Sequence, residues 1–353
     1  MIHLTMKSSC YRPLLLSQRE NLRENMQTML QLDANSYKRY DYLAKHKIHE
    51  KQISGMSEVK REEQPHVSED GASHEPPSNA NHENQGTKRS RAGENSSTST
   101  MIDIGCRLKI CEWSYRVVDY FGVHRGVVST AWSFIDRFLA TQDRCNTKVL
   151  KIAAMAALHL ADKICGSRRL SMKLIVEMSA GEFSLQHLQE MEIILLRSLK
   201  WYVHPPTSAC FIREFMTLLT GTADPSVVTT LSDFAHFFAE LSVCDYYFVT
   251  QKSPVVAVAS VLNALNWLSA SEMSTSSRSL FLKSLSELVG FDIKCDEVKS
   301  VQERLWECYT KSEECKESIV HNEMNTPEQT TESTMDAKRP RTSNSPICVS
   351  RLR

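Results

Sequence analysis

The chain has 353 residues, 41% of them apolar, which is enough for two domains of ordinary size with polar segments to spare. Its 42 basic and 42 acidic residues cancel, so we expect no direct nucleic-acid partner and no binding to an anionic membrane surface through bulk charge. Because no run of about 20 apolar residues is present, we also expect no membrane-spanning helix.

The eleven cysteines are scattered and odd in number, which predicts free thiols in a reduced, intracellular protein. None of them has the paired CxxC spacing of a zinc site, so we expect no metal ion and no cofactor. The sequence also contains no glycine-rich phosphate loop and no Ser-His-Asp arrangement, which disfavours an enzyme.

Both ends of the chain are polar. Residues 13–47 contain one run, LLLSQRENLRENMQTMLQL, that predicts a helix, whereas residues 48–100 lack aromatic side chains and are rich in Ser, Asn, Glu and Pro. Such segments bury too little apolar surface to offset the entropy of ordering. We therefore expect residues 1–100 to be mostly disordered apart from that helix, and residues 311–353 to be a disordered tail.

Residues 101–310 contain helical patterns throughout. The runs VVSTAWSFIDRFLA, LKIAAMAALHLADK and SLQHLQEMEIILLRSLKW have apolar residues at helical spacing. The middle run is apolar on nearly every side, which is typical of a helix at the centre of a bundle. The alternation expected of strands never persists, so the sequence predicts an all-α fold.

The second half of this region repeats the first. The tandem prolines of HPPTS at 204–208 end one set of helices, and a second set follows. The repeated order of helices indicates one all-helical unit used twice. Five residues recur one hundred positions later: Val127, Val128, Thr130, Phe134 and Phe138 as Val227, Val228, Thr230, Phe234 and Phe238.

Motifs in both halves resemble those of cyclins. RLKICEW, FIDRFLA, AALHLADK, EMEIILLRSLKW and PPTSACF have the order and spacing of a cyclin box over roughly residues 103–205. FIDRFL is close to the family's YLDRFL, and the 29-residue separation of Lys163 and Glu192 equals the family's. FAELSVCDYYFVTQKSPVVAVASVLNAL is similar to the cyclin C-terminal fold. The resemblance implies two tandem five-helix cyclin-box domains, 101–205 and 206–310.

The resemblance also implies roles for particular residues. Lys163 and Glu192 stand where cyclins hydrogen-bond main-chain groups of the kinase's αC helix. Arg107 and Asp136 stand where cyclins have a structural ion pair inside the first box. Five further residues match the apolar positions around the kinase-binding pair: Leu160, Ile164, Leu196, Trp201 and Val203. For Trp201, core packing and partner anchoring are both open, since aromatic side chains serve both.

The substrate-docking patch of some cyclins is altered in this chain. Those cyclins have the pattern MRAIL…W, and this chain has CRLKI…W, with Cys106, Lys109, Ile110 and Trp113 at the patch positions. Cys106 replaces a larger side chain, and Lys109 stands where an apolar residue sits. We expect weak docking of Arg-x-Leu ligands, because a lysine there repels the ligand's arginine. The alternative is that Lys109 points away while Ile110 and Trp113 keep the groove.

Taken as a cyclin, the chain would be a non-catalytic regulatory subunit that binds and activates a cyclin-dependent protein kinase in cell-cycle control. A transcription-associated cyclin and a non-kinase adaptor of the same fold are the alternatives. KRSR at 88–91 and KRPR at 338–341 are candidate import signals, so we expect the nucleus and cytoplasm as locations. RPLL at 12–15 and RENL at 19–22 fit the minimal RxxL of a cyclin destruction box, which would make a ubiquitin ligase a further partner.

Overall fold

The computed structural model describes residues 16–49, 101–166 and 169–312. Within these ranges the fold is built from helices, without a β-strand, and a single bridge joins Met101 and Asn146. The prediction of an all-α fold with two tandem domains is confirmed. The basic runs at 88–91 and 338–341, the RPLL motif, and most of the segments predicted to be disordered lie outside the described residues.

Residues 16–49 are the described part of the N-terminal region. In place of one helix over 13–47 there are two, α1 (Leu16–Asn35) and α2 (residues 42–49), separated by a turn. Asp41 begins α2, because its side chain accepts a hydrogen bond from the Ala44 amide. Met26 and Tyr42 are fully buried. Both helices therefore pack against the rest of the fold through apolar side chains.

Distant hydrogen bonds hold the turn between α1 and α2 in place. The Tyr246 hydroxyl donates to Asp41 at 2.8 Å and accepts from the Leu43 amide at 3.0 Å. The Tyr37 hydroxyl accepts from the His204 amide at 3.1 Å. Since His204 lies between the two domains and Tyr246 lies in the second, this N-terminal segment is part of the folded unit.

The first domain surrounds one central helix, as the sequence predicts. In the described residues it consists of α3 (Ile104–Tyr120), α4 (Gly126–Thr141), α5 (Thr147–Cys165), α6 (Met172–Glu177) and α7 (Leu185–Ser198). The alanines of α5 are fully buried, and their small side chains let the neighbouring helices approach closely. Helix α5 therefore presents only its two ends and a narrow edge to solvent.

The second domain repeats this plan. In the described residues it consists of α8 (Ser208–Thr217), α9 (Pro225–Cys244), α10 (Ser253–Leu265), α11 (Thr275–Val289) and α12 (Asp296–Thr310), with a 3-10 turn between α9 and α10. Helix α10 takes the central position of α5, and its Ala257, Val258 and Ala259 are fully buried. The two domains meet where α3 and α4 of the first pack against α9 of the second.

Candidate functional site

Two charged residues meet where α5 packs against α7. Lys163 lies in the last turn of α5, and its Nζ is 2.5 Å from Oε1 of Glu192 in the middle of α7. The Lys163 side chain is 40% exposed, whereas that of Glu192 is 12% exposed. The pair therefore lies at the surface, with the carboxylate on the inner side and the lysine side chain extending toward solvent.

A third residue, His159, contacts the Glu192 carboxylate from the inner side of the pair. It lies one turn before Lys163 on α5, and its Nδ1 is 2.7 Å from Oε2 of Glu192. Burial by itself would raise the pKa of Glu192, but the hydrogen bonds from His159 and Lys163 outweigh burial and lower the pKa. Glu192 is thus an ionised and oriented carboxylate at neutral pH. Sequence analysis missed His159, although its spacing of four residues from Lys163 puts both on one helix face.

The five apolar residues predicted around this pair differ in exposure. Leu160 is buried in the core of the first domain, whereas Trp201 is 69% exposed. The other three are half-buried and pack against that core: Ile164, Leu196 and Val203. Of the two roles left open for Trp201, core packing is therefore excluded by its position.

The exposure of Trp201 follows from the way α7 ends. Lys200 and Trp201 have left-handed backbone conformations, with φ of 51° and 64°, which cost about 1–2 kcal/mol each in residues other than glycine. The Trp201 amide donates to the Leu196 carbonyl at 3.0 Å, which closes the turn and leaves the indole outside. Ile193 and Ile194 on α7 are also exposed, at 48% and 44%. These two isoleucines, which sequence analysis missed, extend the exposed apolar surface of α7.

Arg107 and Asp136 form a buried ion pair that also joins the two domains. Nη2 and Nε of Arg107 donate to the two carboxylate oxygens of Asp136, at 3.0 and 3.3 Å. Nη1 donates to the Val243 carbonyl near the end of α9 at 2.8 Å, and the guanidinium lies 4.6 Å from the centre of the Trp132 ring. Burial would lower the pKa of Arg107, but the charge and hydrogen bonds of Asp136, together with nearby Tyr42 and Cys111, outweigh burial and raise the pKa. The ion pair therefore contacts the second domain as well as the first.

The altered docking patch lies on one face of α3. Cys106, Ile110 and Trp113 are half-buried and pack against the core of the first domain, while Lys109 beside them is exposed. Asp103 caps the helix at this end, because its side chain accepts from the Cys106 amide at 2.6 Å. The patch thus keeps a small apolar surface with a charged side chain at its edge.

Within the described residues, the RENL motif at 19–22 forms no comparable site. Leu22 of the RENL motif lies on α1 and is only 6% exposed, so its leucine is not available to a ligase while α1 is folded. No group of three acidic, histidine or cysteine side chains in the described residues is placed to hold a metal ion. Across the same ranges, no helix has the length and apolar character needed to cross a bilayer.

Comparisons with known proteins agree with the fold. The family model of the cyclin N-terminal domain matches residues 79–204, and that of the cyclin C-terminal domain matches residues 206–338. Putative cyclin-F3-1 of Oryza sativa subsp. japonica is 27% identical over 159 residues, which cover 45% of this chain and 40% of that protein. Cyclin-D3-2 of Arabidopsis thaliana is 27% identical over 122 residues, which cover 32% of each.

The matches to these relatives are partial in length. Cyclin-A1-4 of Oryza sativa subsp. japonica is 22% identical over 165 residues, 46% of this chain and 45% of that protein, so the chain spans less than half the length of these curated relatives. A viral cyclin from herpesvirus saimiri is 16% identical, with a TM-score of 0.49, covering 59% of this chain and 88% of that one. Because the two family models together cover most of its length, the chain belongs to the cyclin family.

Proposed function

We propose that the chain is a non-catalytic regulatory subunit that binds a cyclin-dependent protein kinase and activates it. The observation that carries the proposal is the oriented Lys163–Glu192 pair at the surface of α5 and α7. Of the three N–H donors of the lysine, one is used by Glu192, and the carboxylate has more acceptor sites than its two partners occupy. The pair can therefore still accept and donate hydrogen bonds to the main chain of a partner helix.

Exposed apolar side chains on α7 and in the turn that follows it would supply most of the binding energy. Trp201, Ile193 and Ile194 are exposed in the free chain, and a buried tryptophan is among the most common anchors of protein interfaces. Charge-assisted hydrogen bonds from Lys163 and Glu192 would then fix the orientation of the partner helix.

Activation follows from selective binding to one state of the kinase. Protein kinases transfer phosphate only when the αC helix is placed so that a Lys–Glu ion pair forms in the kinase. A partner that binds only this arrangement shifts the equilibrium by its difference in affinity for the two states. A shift from 1:99 to 99:1 requires about 5.5 kcal/mol, which is within reach of two or three buried anchors at about 2 kcal/mol each.

The experiment is a co-purification with matched variants of the full chain. We expect a protein kinase to be identified by mass spectrometry with the wild type and to be lost with Lys163→Ala and with Trp201→Ala. The control is Lys151→Ala, because Lys151 is on the same helix and pairs with Glu182 at 3.0 Å, away from the proposed surface. Recovery of the kinase with Lys163→Ala would contradict the proposed surface. Absence of a kinase from the wild type would favour the non-kinase adaptor.

The cellular setting is a further part of the proposal. We assign the chain to cell-cycle control in the nucleus and cytoplasm, on the strength of its family and of the basic run at 338–341. A kinase identified in the co-purification also separates this setting from that of a transcription-associated cyclin, since the two use different kinases.

A further inference from the structure

Two cysteines meet at the interface between the domains. Cys111 lies on α3 and Cys244 is the last residue of α9, and their Sγ atoms are 3.3 Å apart although 133 residues separate them in sequence. Both are free thiols in the structure. A disulfide has a sulfur–sulfur distance of about 2.05 Å, so the two atoms need to approach by little more than an ångström.

Two hydrogen bonds between α3 and α9 flank the thiol pair and keep the two cysteines next to each other. Arg107, one turn before Cys111, donates to the Val243 carbonyl at 2.8 Å. Tyr115, one turn after Cys111, donates to the Glu240 carbonyl at 3.2 Å, one turn before the second cysteine. Helices α3 and α9 are therefore joined by a hydrogen bond on each side of the two sulfur atoms. These two hydrogen bonds limit relative motion of the helices next to the thiols.

The two thiols differ in exposure, and this difference sets the order of reaction. Cys111 is fully buried, and burial raises its pKa, whereas Cys244 is only half-buried. An oxidant from solvent therefore reaches Cys244 first. Cys111 is then placed to react with the oxidised sulfur before further oxidant arrives, because the two groups are held in contact.

We propose that Cys111 and Cys244 are a site of reversible oxidation, at which a peroxide forms a disulfide between the two domains. In the first step the Cys244 sulfur attacks hydrogen peroxide, the O–O bond breaks, and a sulfenic acid and one water form. In the second step the Cys111 sulfur attacks the sulfenic sulfur, the S–S bond forms, and the S–O bond breaks to release a second water. The two thiols lose two electrons, and a dithiol reductant restores them.

The disulfide has a predictable effect on stability. It closes a loop of 133 residues between positions that the folded chain already holds together. A crosslink of this kind constrains the unfolded chain strongly while adding little strain to the folded one. We therefore expect oxidation to raise the melting temperature by about 5 °C or more. In an intracellular protein such a bond would be transient and would report the redox state.

The test uses the full chain, reduced and then treated with hydrogen peroxide. Free thiols are alkylated, and peptides digested without reductant are identified by mass spectrometry, with a thermal scan in parallel. We expect a Cys111–Cys244 peptide, a higher melting temperature, and reversal of both by dithiothreitol. Cys145→Ser is the matched control, because Cys145 is also buried but has the Asn146 carbonyl as its neighbour. This variant should keep both effects.

The variants Cys244→Ser and Cys111→Ala should lose both effects. Cys244→Ser is expected to fold because its side chain is half-buried, so it carries the test if Cys111→Ala does not fold. Two results would overturn the proposal: a Cys244 sulfinic acid with Cys111 still reduced, or a crosslink from Cys244 to a cysteine other than Cys111.

Discussion

Loss of the Asp136 carboxylate should destabilise the fold strongly, because it leaves a buried arginine without its ion-pair partner. Arg107 is 2% exposed, and its charge has one carboxylate partner, Asp136, together with the Val243 carbonyl and the face of Trp132. Asp136→Ala leaves the guanidinium buried beside neutral groups and without its ion-pair partner. Removal of one partner from a buried pair costs about 3–5 kcal/mol.

The measurement is urea unfolding followed by circular dichroism, with a parallel thermal scan. At about 2–4 °C per kcal/mol for a fold of this size, we expect a fall in melting temperature of about 6–20 °C. The matched control is Asp119→Ala, since Asp119 is 47% exposed and its partner Arg125 keeps a second carboxylate, Glu240, at 2.8 Å. That variant should lose less than about 1 kcal/mol. Equal unfolding midpoints for the two variants would refute the reasoning.

Three further predictions concern the N-terminal helices, the docking patch and acid stability. A chain that begins at residue 101 should unfold at a lower urea concentration than one that begins at residue 16, because Met26 and Tyr42 are buried against the domains. Equal midpoints of urea unfolding would contradict their burial. Lys109→Ile should bind an Arg-x-Leu peptide at least tenfold more tightly than wild type, about 1.4 kcal/mol, in a fluorescence titration; unchanged affinity would show that Lys109 points away. Glu192→Gln should reduce the loss of stability on acidification.

The sign of the last prediction follows from the lowered pKa of Glu192. Its carboxylate stabilises the folded chain at pH above its ordinary pKa of 4.5, and this contribution is lost as the pH falls through the lower folded value. Glu192→Gln should therefore be less stable than wild type near neutral pH, and the difference should shrink below about pH 4.5. Parallel stability curves for the two proteins would show that Glu192 is not held by His159 and Lys163 in solution.

The helical fold and the Lys163–Glu192 pair could be predicted from the sequence because both depend on local patterns. The Ala-rich run around Ala153 could only be a central helix, since it has no polar face. Lys163 and Glu192 were singled out by a fixed spacing within recognisable motifs. The helical spacing of His159 from Lys163 could have predicted that the two share a face. The sequence around a histidine in an apolar run does not indicate which residue it contacts.

The features that sequence analysis missed depend on contacts between distant parts of the chain. The break between α1 and α2 contains neither Gly nor Pro, and its hydrogen bonds come from Tyr246 and His204, more than 160 residues away. The sequence therefore predicted one helix within residues 13–47, because the contacts that divide it into two helices come from distant parts of the chain. The contact between Cys111 and Cys244 likewise has no sequence signature, because it exists only once α3 and α9 are packed together.

The measurement that tests kinase activation most directly is a titration of the co-purified kinase with the purified chain, with phosphoryl transfer as the readout. Wild type and Lys151→Ala should activate with the same half-maximal concentration. Lys163→Ala should require at least about 30-fold more protein, since loss of a charge-assisted contact in a desolvated interface costs about 2–5 kcal/mol, while its circular dichroism spectrum stays unchanged. Activation by a folded Lys163→Ala at the wild-type concentration would contradict the account.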